Sequence, residues 1–160
     1  MKLVKIQQEI LKAVMANPEN VSRFGCPGNE TFITADHAVG YVIPWDKLRV
    51  NLDGTNLMKA LDLQQIVDEG DKLVGTDLFR NGGTARFYKY ANTSGGAEGT
   101  HVDTRLLKLF DFPTLYQNPM NPRGVIVVTE TPIDGPEAIV GIVMPCKVEE
   151  TDDDEEDWQE

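Results

Sequence analysis

The sequence contains few of the residues on which metal and redox sites depend. Its 160 residues include only two cysteines, Cys26 and Cys146, and two histidines, His37 and His101. The cysteines lie 120 positions apart and form no CxxC pair, which argues against a zinc knuckle, a dithiol redox motif or a disulfide framework. Neither histidine belongs to a spaced ligand cluster, so the sequence predicts no metal ion and no other cofactor.

Motifs typical of enzymes are also missing. Two glycine-rich stretches, Gly82-Gly83-Thr84 and Gly95-Gly96-Ala97, are not followed by the Gly-Lys-Ser/Thr of a P-loop and are typical of turns and linkers. His37 has a neighbouring carboxylate, Asp36, that could orient it as a general base, but a turn between two strands is the simpler interpretation. Either cysteine would need a partner brought to it by folding to act as a nucleophile. We therefore predict that the protein is not an enzyme.

Long hydrophobic runs are absent as well. No apolar run approaches the ~20 residues that a membrane helix needs. Residues 1–9 are interrupted too early by polar side chains for a signal-peptide core. We therefore expect a cytoplasmic protein with no membrane partner. Its 41% hydrophobic content is ordinary for a globular chain, and its length suits one domain with a real core.

Charge is distributed very unevenly along the chain. The formal net charge is −11, but nine of the 26 acidic residues fall in Glu149–Glu160, which contains no lysine or arginine. The rest of the chain carries 17 acidic and 15 basic residues and is therefore near −2. We predict that residues 149–160 form a disordered acidic tail. Trp158 leaves a second interpretation open, an aromatic-tipped docking peptide like those of single-strand-binding proteins. A basic patch on the body is compatible with this distribution.

Apolar residues recur with helical spacing near the start of the chain, which predicts a helix over Leu3–Ala16. One side of this helix carries Leu3, Ile6, Ile10 and Val14. The other side carries Lys2, Lys5, Glu9 and Lys12. Asn17-Pro18 ends the helix, because a residue before proline is disfavoured in the α region.

A second two-faced helix is predicted over Val102–Phe110. Val102, Leu106, Leu109 and Phe110 fall at i, i+4, i+7 and i+8, and Arg105 and Lys108 lie on the other side. Thr100 with Asp103 resembles a capping box that would start this helix.

Strand patterns fill most of the remaining chain. Leu61–Glu69 fits either a short helix or a loop, and Ser22–Asn29 is typical of a loop. The predicted strands are Thr31–Thr34, Val39–Ile43, Leu48–Leu52, one near Leu57–Leu61, Lys72–Phe79, Thr84–Tyr90, Gly124–Glu130 and Ala138–Met144. This order predicts a single α+β domain over 1–148, with both helices packed on one face of an antiparallel sheet. Its helix-plus-strands halves would be 1–91 and 100–148, joined by a flexible glycine-rich link over 92–99.

The last strand and the residues after it resemble a known family. Met144-Pro145-Cys146-Lys147-Val148 is similar to the Met-Pro-x-Arg-Leu on which bacterial sliding clamps, the β subunits of the replicative DNA polymerase, typically finish. Lys147 replaces the arginine and Val148 replaces the leucine. Val102–Phe110 and Val125–Thr129 also resemble the helix and following strand of that family. The resemblance mainly covers residues 100–148.

The resemblance implies a DNA-clamp-like fold whose basic helix faces meet duplex DNA. The residues it places towards the phosphates are Lys2, Lys5, Lys12, Arg105 and Lys108. It also implies a partner-binding edge at Met144, Pro145 and Lys147, to which the tail adds Trp158 as a docking residue. The chain departs from clamps in having one domain, which encircles DNA only if it oligomerises, and in carrying the acidic tail.

These observations predict a non-enzymatic DNA-binding or replication-associated protein of a phage or mobile element. Its expected partners are duplex or single-stranded DNA, replication proteins and further copies of itself. One alternative is a structural or assembly protein, such as a virion component, that does not contact DNA. Another is a single-strand DNA-binding protein with an acidic docking tail.

Overall fold

A ten-stranded mixed sheet forms the body of the protein in the computed structural model, which describes residues 1–25, 30–36, 38–59, 62–92 and 98–148. The strands are β1 (Ser22–Gly25), β2 (Glu30–Asp36), β3 (Val39–Pro44), β4 (Asn56–Met58), β5 (Asp71–Arg80), β6 (Ala85–Tyr90), β7 (Gly99–Asp103), β8 (Thr114–Gln117), β9 (Ile126–Glu130) and β10 (Ala138–Val143). The helices are α1 (Leu3–Ala16) and α2 (Leu63–Glu69). Short 3-10 helices cover Pro18–Asn20, Trp45–Lys47, Asn81–Gly83 and Thr104–Leu107. The predicted acidic tail, Cys26, His37 and Trp158 lie outside the described residues.

The strand order mixes the two predicted halves of the chain. It runs β4-β1-β2-β3-β10-β9-β8-β5-β6-β7, and every pairing is antiparallel except that of β1 with β4. Strands β5 and β6 from the first half lie between β8 and β7 of the second half. The two halves therefore share one sheet, and the predicted α+β single domain is confirmed. The link over 92–99 is described only at its ends.

Helix α1 has the predicted bounds and buries the predicted stripe. Ile6 and Ile10 are fully buried among sheet residues that include Ile33, Ile43 and Val128. Burying a large aliphatic side chain contributes about 1.5–3 kcal/mol, so each of these two positions helps to hold the helix on the sheet. Asn17 adopts an extended conformation before Pro18, as the sequence predicts.

The prediction of a helix over Val102–Phe110 is wrong. Residues Gly99–Asp103 form β7, which pairs with β6 through five residue pairs, and the Asp103 side chain then accepts from the Arg105 amide to start the 3-10 helix Thr104–Leu107. The apolar residues are nevertheless packed as expected, because Val102, Leu109 and Phe110 are all buried in the core beneath α1. A nine-residue helix is marginal in water. The neighbouring strand offers the backbone a complete ladder instead.

Helix α2 settles the choice left open at Leu61–Glu69, and it lies on the other side of the sheet. Leu63 is buried against Val42, Val127 and Ile142. Because successive strand residues point to opposite faces, Val128 faces α1 while its neighbour Val127 faces α2. The two observed helices therefore cover opposite faces, whereas the predicted arrangement put both helices on one face.

Some of the remaining strand predictions are confirmed and others are wrong. The β2–β3, β5–β6 and β9–β10 pairs form antiparallel hairpins as predicted. The predicted strand Leu48–Leu52 is wrong: the Arg49 amide donates to the Gln7 side chain at 2.6 Å instead of to a neighbouring strand. Ser22–Gly25, predicted as a loop, is β1, and β8 has no counterpart in the predictions. Among the described residues, neither helix is both long and apolar enough to cross a bilayer.

Candidate nucleic-acid interface

Four of the five lysines and arginines predicted to face phosphate line one groove. It is an open depression of about 580 Å³ that runs along the outer side of α1. Its lining residues are Lys2, Lys5, Gln8, Glu9, Lys12, Lys108 and Leu109. Four lysines and one glutamate give this groove, hereafter the lysine groove, a formal charge of +3. A cationic surface on a body whose net charge is near −2 is a local concentration of positive charge.

The groove is built from two segments that are distant in sequence. The Lys2 amide donates to the Leu109 carbonyl at 2.8 Å, and the Lys2 ammonium donates to the Lys108 carbonyl at 3.1 Å. Leu109 is buried in the core, which fixes the backbone that carries Lys108 beside the start of α1. Lys5 and Lys12 lie two helical turns apart on α1, about 10.5 Å along the helix axis. Lys108, which follows the 3-10 helix Thr104–Leu107, therefore lies beside the start of α1 although the predicted helix is absent.

Most of the charge in the lysine groove is available to a ligand. In the described part of the chain, no carboxylate forms an ion pair with Lys5, Lys12 or Lys108, and all three side chains are exposed. Lys2 differs, since its ammonium lies 3.3 Å from an Asp111 oxygen. The amino terminus and Lys2 both hydrogen-bond Asp111, and this lowers the pKa of its carboxyl group. Glu9 is the one acidic side chain in the lining.

Arg105 is not among the residues that line the lysine groove. Its guanidinium makes a two-point contact with Asp103, with Nε–Oδ1 at 2.9 Å and Nη2–Oδ2 at 2.6 Å. Hydrogen bonding to Arg105 lowers the pKa of the Asp103 carboxyl, so the pair stays charged and mutually satisfied. Lys108 therefore lies beside α1, whereas the Arg105 guanidinium is bound to the Asp103 carboxylate.

The predicted partner-binding residues follow β10 and are tied to two other parts of the sheet. The Met144 amide donates to the Ala38 carbonyl at 2.8 Å, and the Cys146 amide donates to the His101 carbonyl at 2.8 Å. The Lys147 carbonyl accepts a hydrogen bond from the Asn81 side chain at 2.9 Å. Lys147 itself is exposed. Met144 and Pro145 are half-buried. This segment is thus held by its backbone and offers mainly Lys147 to a partner.

The cysteine and histidine of this region are both partly buried. Burial raises the pKa of the Cys146 thiol, which opposes formation of the nucleophilic thiolate. Burial, reinforced by the charge of Arg80, lowers the pKa of His101. His101 Nε2 is buried and has no hydrogen-bond partner among the described residues. The centre of the His101 ring lies 5.1 Å from the centre of the Phe87 ring. His101 lies within β7.

Comparisons with known proteins give no family. No protein-family model, curated protein or solved structure matches this chain. Within the described ranges, no group of three or more His, Cys, Asp or Glu side chains is placed to hold a metal ion. A function for the chain has to follow from its own surface chemistry.

Sequence reasoning missed a second cavity of about 490 Å³ beside the β5–β6 hairpin. Arg86 lies there, with its guanidinium carbon 5.4 Å from the Tyr88 ring centre and 5.9 Å from that of Phe79. Gly75 makes room for it, because a Cβ at position 75 would lie 2.6 Å from that carbon. Phe79 pairs with Arg86 across the hairpin. The available signal was this cross-strand pair, which becomes visible only once the register of the hairpin is known.

Proposed function

We propose that this protein is a non-enzymatic DNA-binding protein that holds the phosphate backbone in the lysine groove. The observation that carries the proposal is the convergence of Lys2, Lys5, Lys12 and Lys108 on one open surface. Lys5, Lys12 and Lys108 have no acidic partner among the described residues, and exposed ammonium groups of this kind neutralise phosphates. Contacts of this kind are independent of base sequence, and the protein performs no chemical step on the DNA.

The spacing of the lysines fits a polyphosphate strand. Lys5 and Lys12 lie about 10.5 Å apart along α1. Duplex DNA rises about 3.4 Å along its axis per phosphate of each strand, so this length of α1 laid along the duplex axis spans about three phosphates of one strand. Lys108 extends the row beyond the start of α1, where its backbone carbonyl contacts Lys2. The groove therefore has the length of a short stretch of one strand of a duplex.

Without the predicted helix over Val102–Phe110, the resemblance to sliding clamps rests on Val125–Thr129 and Met144–Val148, and it favours a role in DNA replication. In that interpretation the α1 side of the domain faces the duplex, and Met144, Pro145 and Lys147 form a partner-binding edge for replication proteins. A single domain would surround DNA only as a homo-oligomer. The interpretation agrees with the α1 side being the one that carries the lysine groove.

The experiment that tests this function is a salt titration of DNA binding. A labelled duplex of about 20 base pairs is titrated with the full chain between 20 and 200 mM salt, and the slope of log K against log[salt] is measured. Each phosphate contact contributes about −0.9 to the slope for a duplex, so four lysines set a limit near −3.6. K5Q/K12Q should make the slope less negative by about 1.8.

Lys59 and Lys89 provide the matched control. Both are exposed lysines outside the groove lining, so K59Q/K89Q changes the net charge of the protein by the same amount. The control should bind as the parent does. Equal loss in both double variants, or no binding of either duplex or single strand at 20 mM salt, would contradict the proposal. Repeating the titration with a single strand, for which the slope is about −0.7 per contact, identifies the preferred substrate and tests the single-strand-binding alternative.

An assembly role is the second candidate, and one feature favours it. Strand β4 forms an edge of the sheet, and its Leu57 and Met58 side chains are 66% and 48% exposed. An exposed apolar edge strand is a template for pairing with another chain. Light scattering on the purified protein separates the two roles, because a large oligomer indifferent to DNA would support assembly and exclude the proposed DNA contact.

A further inference from the structure

The most acidic segment of the chain begins at Glu149, directly after the last described residue, Val148. Residues Glu149–Glu160 carry nine carboxylates and no basic side chain. The lysine groove carries a formal charge of +3 and has three lysines with no ion-pair partner among the described residues. The chain therefore holds a strongly anionic segment and an open cationic groove of complementary charge.

The described residues just before the segment are attached to the part of the chain that leads to Lys108. Cys146 is hydrogen-bonded through its amide to His101 of β7 and lies close enough to Arg105 for that charge to act on the pKa of the thiol. Arg105 belongs to the 3-10 helix that leads, three residues later, to Lys108. The chain before Val148 is therefore attached to β7, which continues through the 3-10 helix Thr104–Leu107 to Lys108.

The segment is long enough to follow the whole groove. Twelve residues extend at most about 40 Å at roughly 3.3 Å per residue. From Lys2 to Lys12 the groove follows α1 for about 15 Å. The slack leaves several residues to pass from Val148 around the 3-10 turn.

We propose that the acidic segment folds back onto the lysine groove of its own chain and occupies it when no nucleic acid is bound. The segment then acts as an intramolecular competitor, so that DNA binds only by displacing it. A ligand tethered by a short linker is present at an effective concentration of about millimolar, which a DNA strand has to overcome. The competition part of this inference rests on the proposed function, whereas the docking itself does not.

Docking is tested without DNA by zero-length carbodiimide cross-linking of the full chain. This reagent joins a carboxylate to an ammonium group only when the two are in contact. Mass spectrometry of the monomer band should find links from 149–160 to Lys5, Lys12 or Lys108 and none to the control lysines Lys59 and Lys89. Links distributed evenly over all these lysines would overturn docking. Links confined to the dimer band would also overturn it, because the segment would then bind a second copy.

Competition is tested with a full-length variant whose nine tail carboxylates are changed to amides, Asp to Asn and Glu to Gln. This variant should bind the duplex at least tenfold more tightly than the parent at 50 mM salt. The gain should disappear in the K5Q/K12Q background. A gain of the same size in that background would reflect net charge alone and would overturn groove competition. If the variant binds no DNA although the cross-links fall in the groove, the proposed function fails while docking stands.

Discussion

A buried hydrogen-bond network between β6 and β8 gives the most direct test of the described core. The Tyr90 hydroxyl donates to Gln117 Oε1 at 2.7 Å, and Gln117 Nε2 donates to the carbonyls of Gly124 at 2.9 Å and Pro122 at 3.2 Å. Tyr90 is 3% exposed and Gln117 is fully buried. Both amide hydrogens and the amide oxygen of Gln117 are therefore satisfied. Tyr90→Phe removes the donor that the structure assigns to this oxygen.

The expected cost of Tyr90→Phe is about 1–3 kcal/mol of unfolding free energy, because a buried acceptor is left without a donor. In a Gln117→Leu background the acceptor is already gone, so the same change should cost less than about 0.5 kcal/mol. The coupling between the two positions should therefore be about 1–2 kcal/mol. In that background the Pro122 carbonyl keeps a partner, because it also accepts from Thr100 Oγ1 at 3.0 Å.

Urea unfolding followed by far-UV circular dichroism measures all four corners of this double-mutant cycle. Tyr88→Phe is the control, because Tyr88 is only partly buried and no hydrogen bond of its hydroxyl is found in the described structure. It should cost less than about 0.5 kcal/mol. If Tyr90→Phe costs the same with and without Gln117, or no more than Tyr88→Phe, the network does not contribute as described.

Three further predictions concern α1, the centre of the sheet and β7. Ile10→Ala should lower the unfolding free energy by about 2–5 kcal/mol, because it leaves a cavity under α1, whereas exposed Leu11→Ala should cost much less. Gly141→Ala should cost about 1–3 kcal/mol in urea unfolding, since the new Cβ would clash with the Gly40 backbone oxygen and would lie within 3 Å of the Phe110 ring. Gly135→Ala, whose nearest contact is 3.2 Å, is its control. The pKa of His101 is lower in the folded chain than in the unfolded chain, so the unfolded chain binds a proton at a higher pH than the folded chain does. The free energy of unfolding should therefore fall as the pH drops below about 6.5. Urea titrations at pH 7.5 and 5.5 should show a smaller fall in His101→Leu than in the parent.

The spacing of apolar and turn residues was sufficient to predict the elements whose signal lies within a short stretch of the chain. The apolar period of α1 and the Asn17-Pro18 stop predicted its bounds, and the strand patterns on either side of the glycine-rich Gly82-Gly83-Thr84 predicted β5 and β6. In both cases the signal lies within one short stretch of chain. The apolar runs of β9 and β10 were also predicted as strands, because residues 131–136 between them are rich in proline and glycine.

Tertiary structure decided the conformation of Thr100–Phe110 and the surface it helps to form. Its apolar spacing suits either a helix or a strand followed by a turn, and pairing with β6 selected the strand. The same choice separated Arg105, bound to Asp103, from Lys108, held beside α1. The sequence alone determined which side chains are apolar and which are cationic. Only the packing of α1 against the 3-10 turn placed the four lysines together, because contacts between residues about a hundred positions apart leave no periodic trace in the chain.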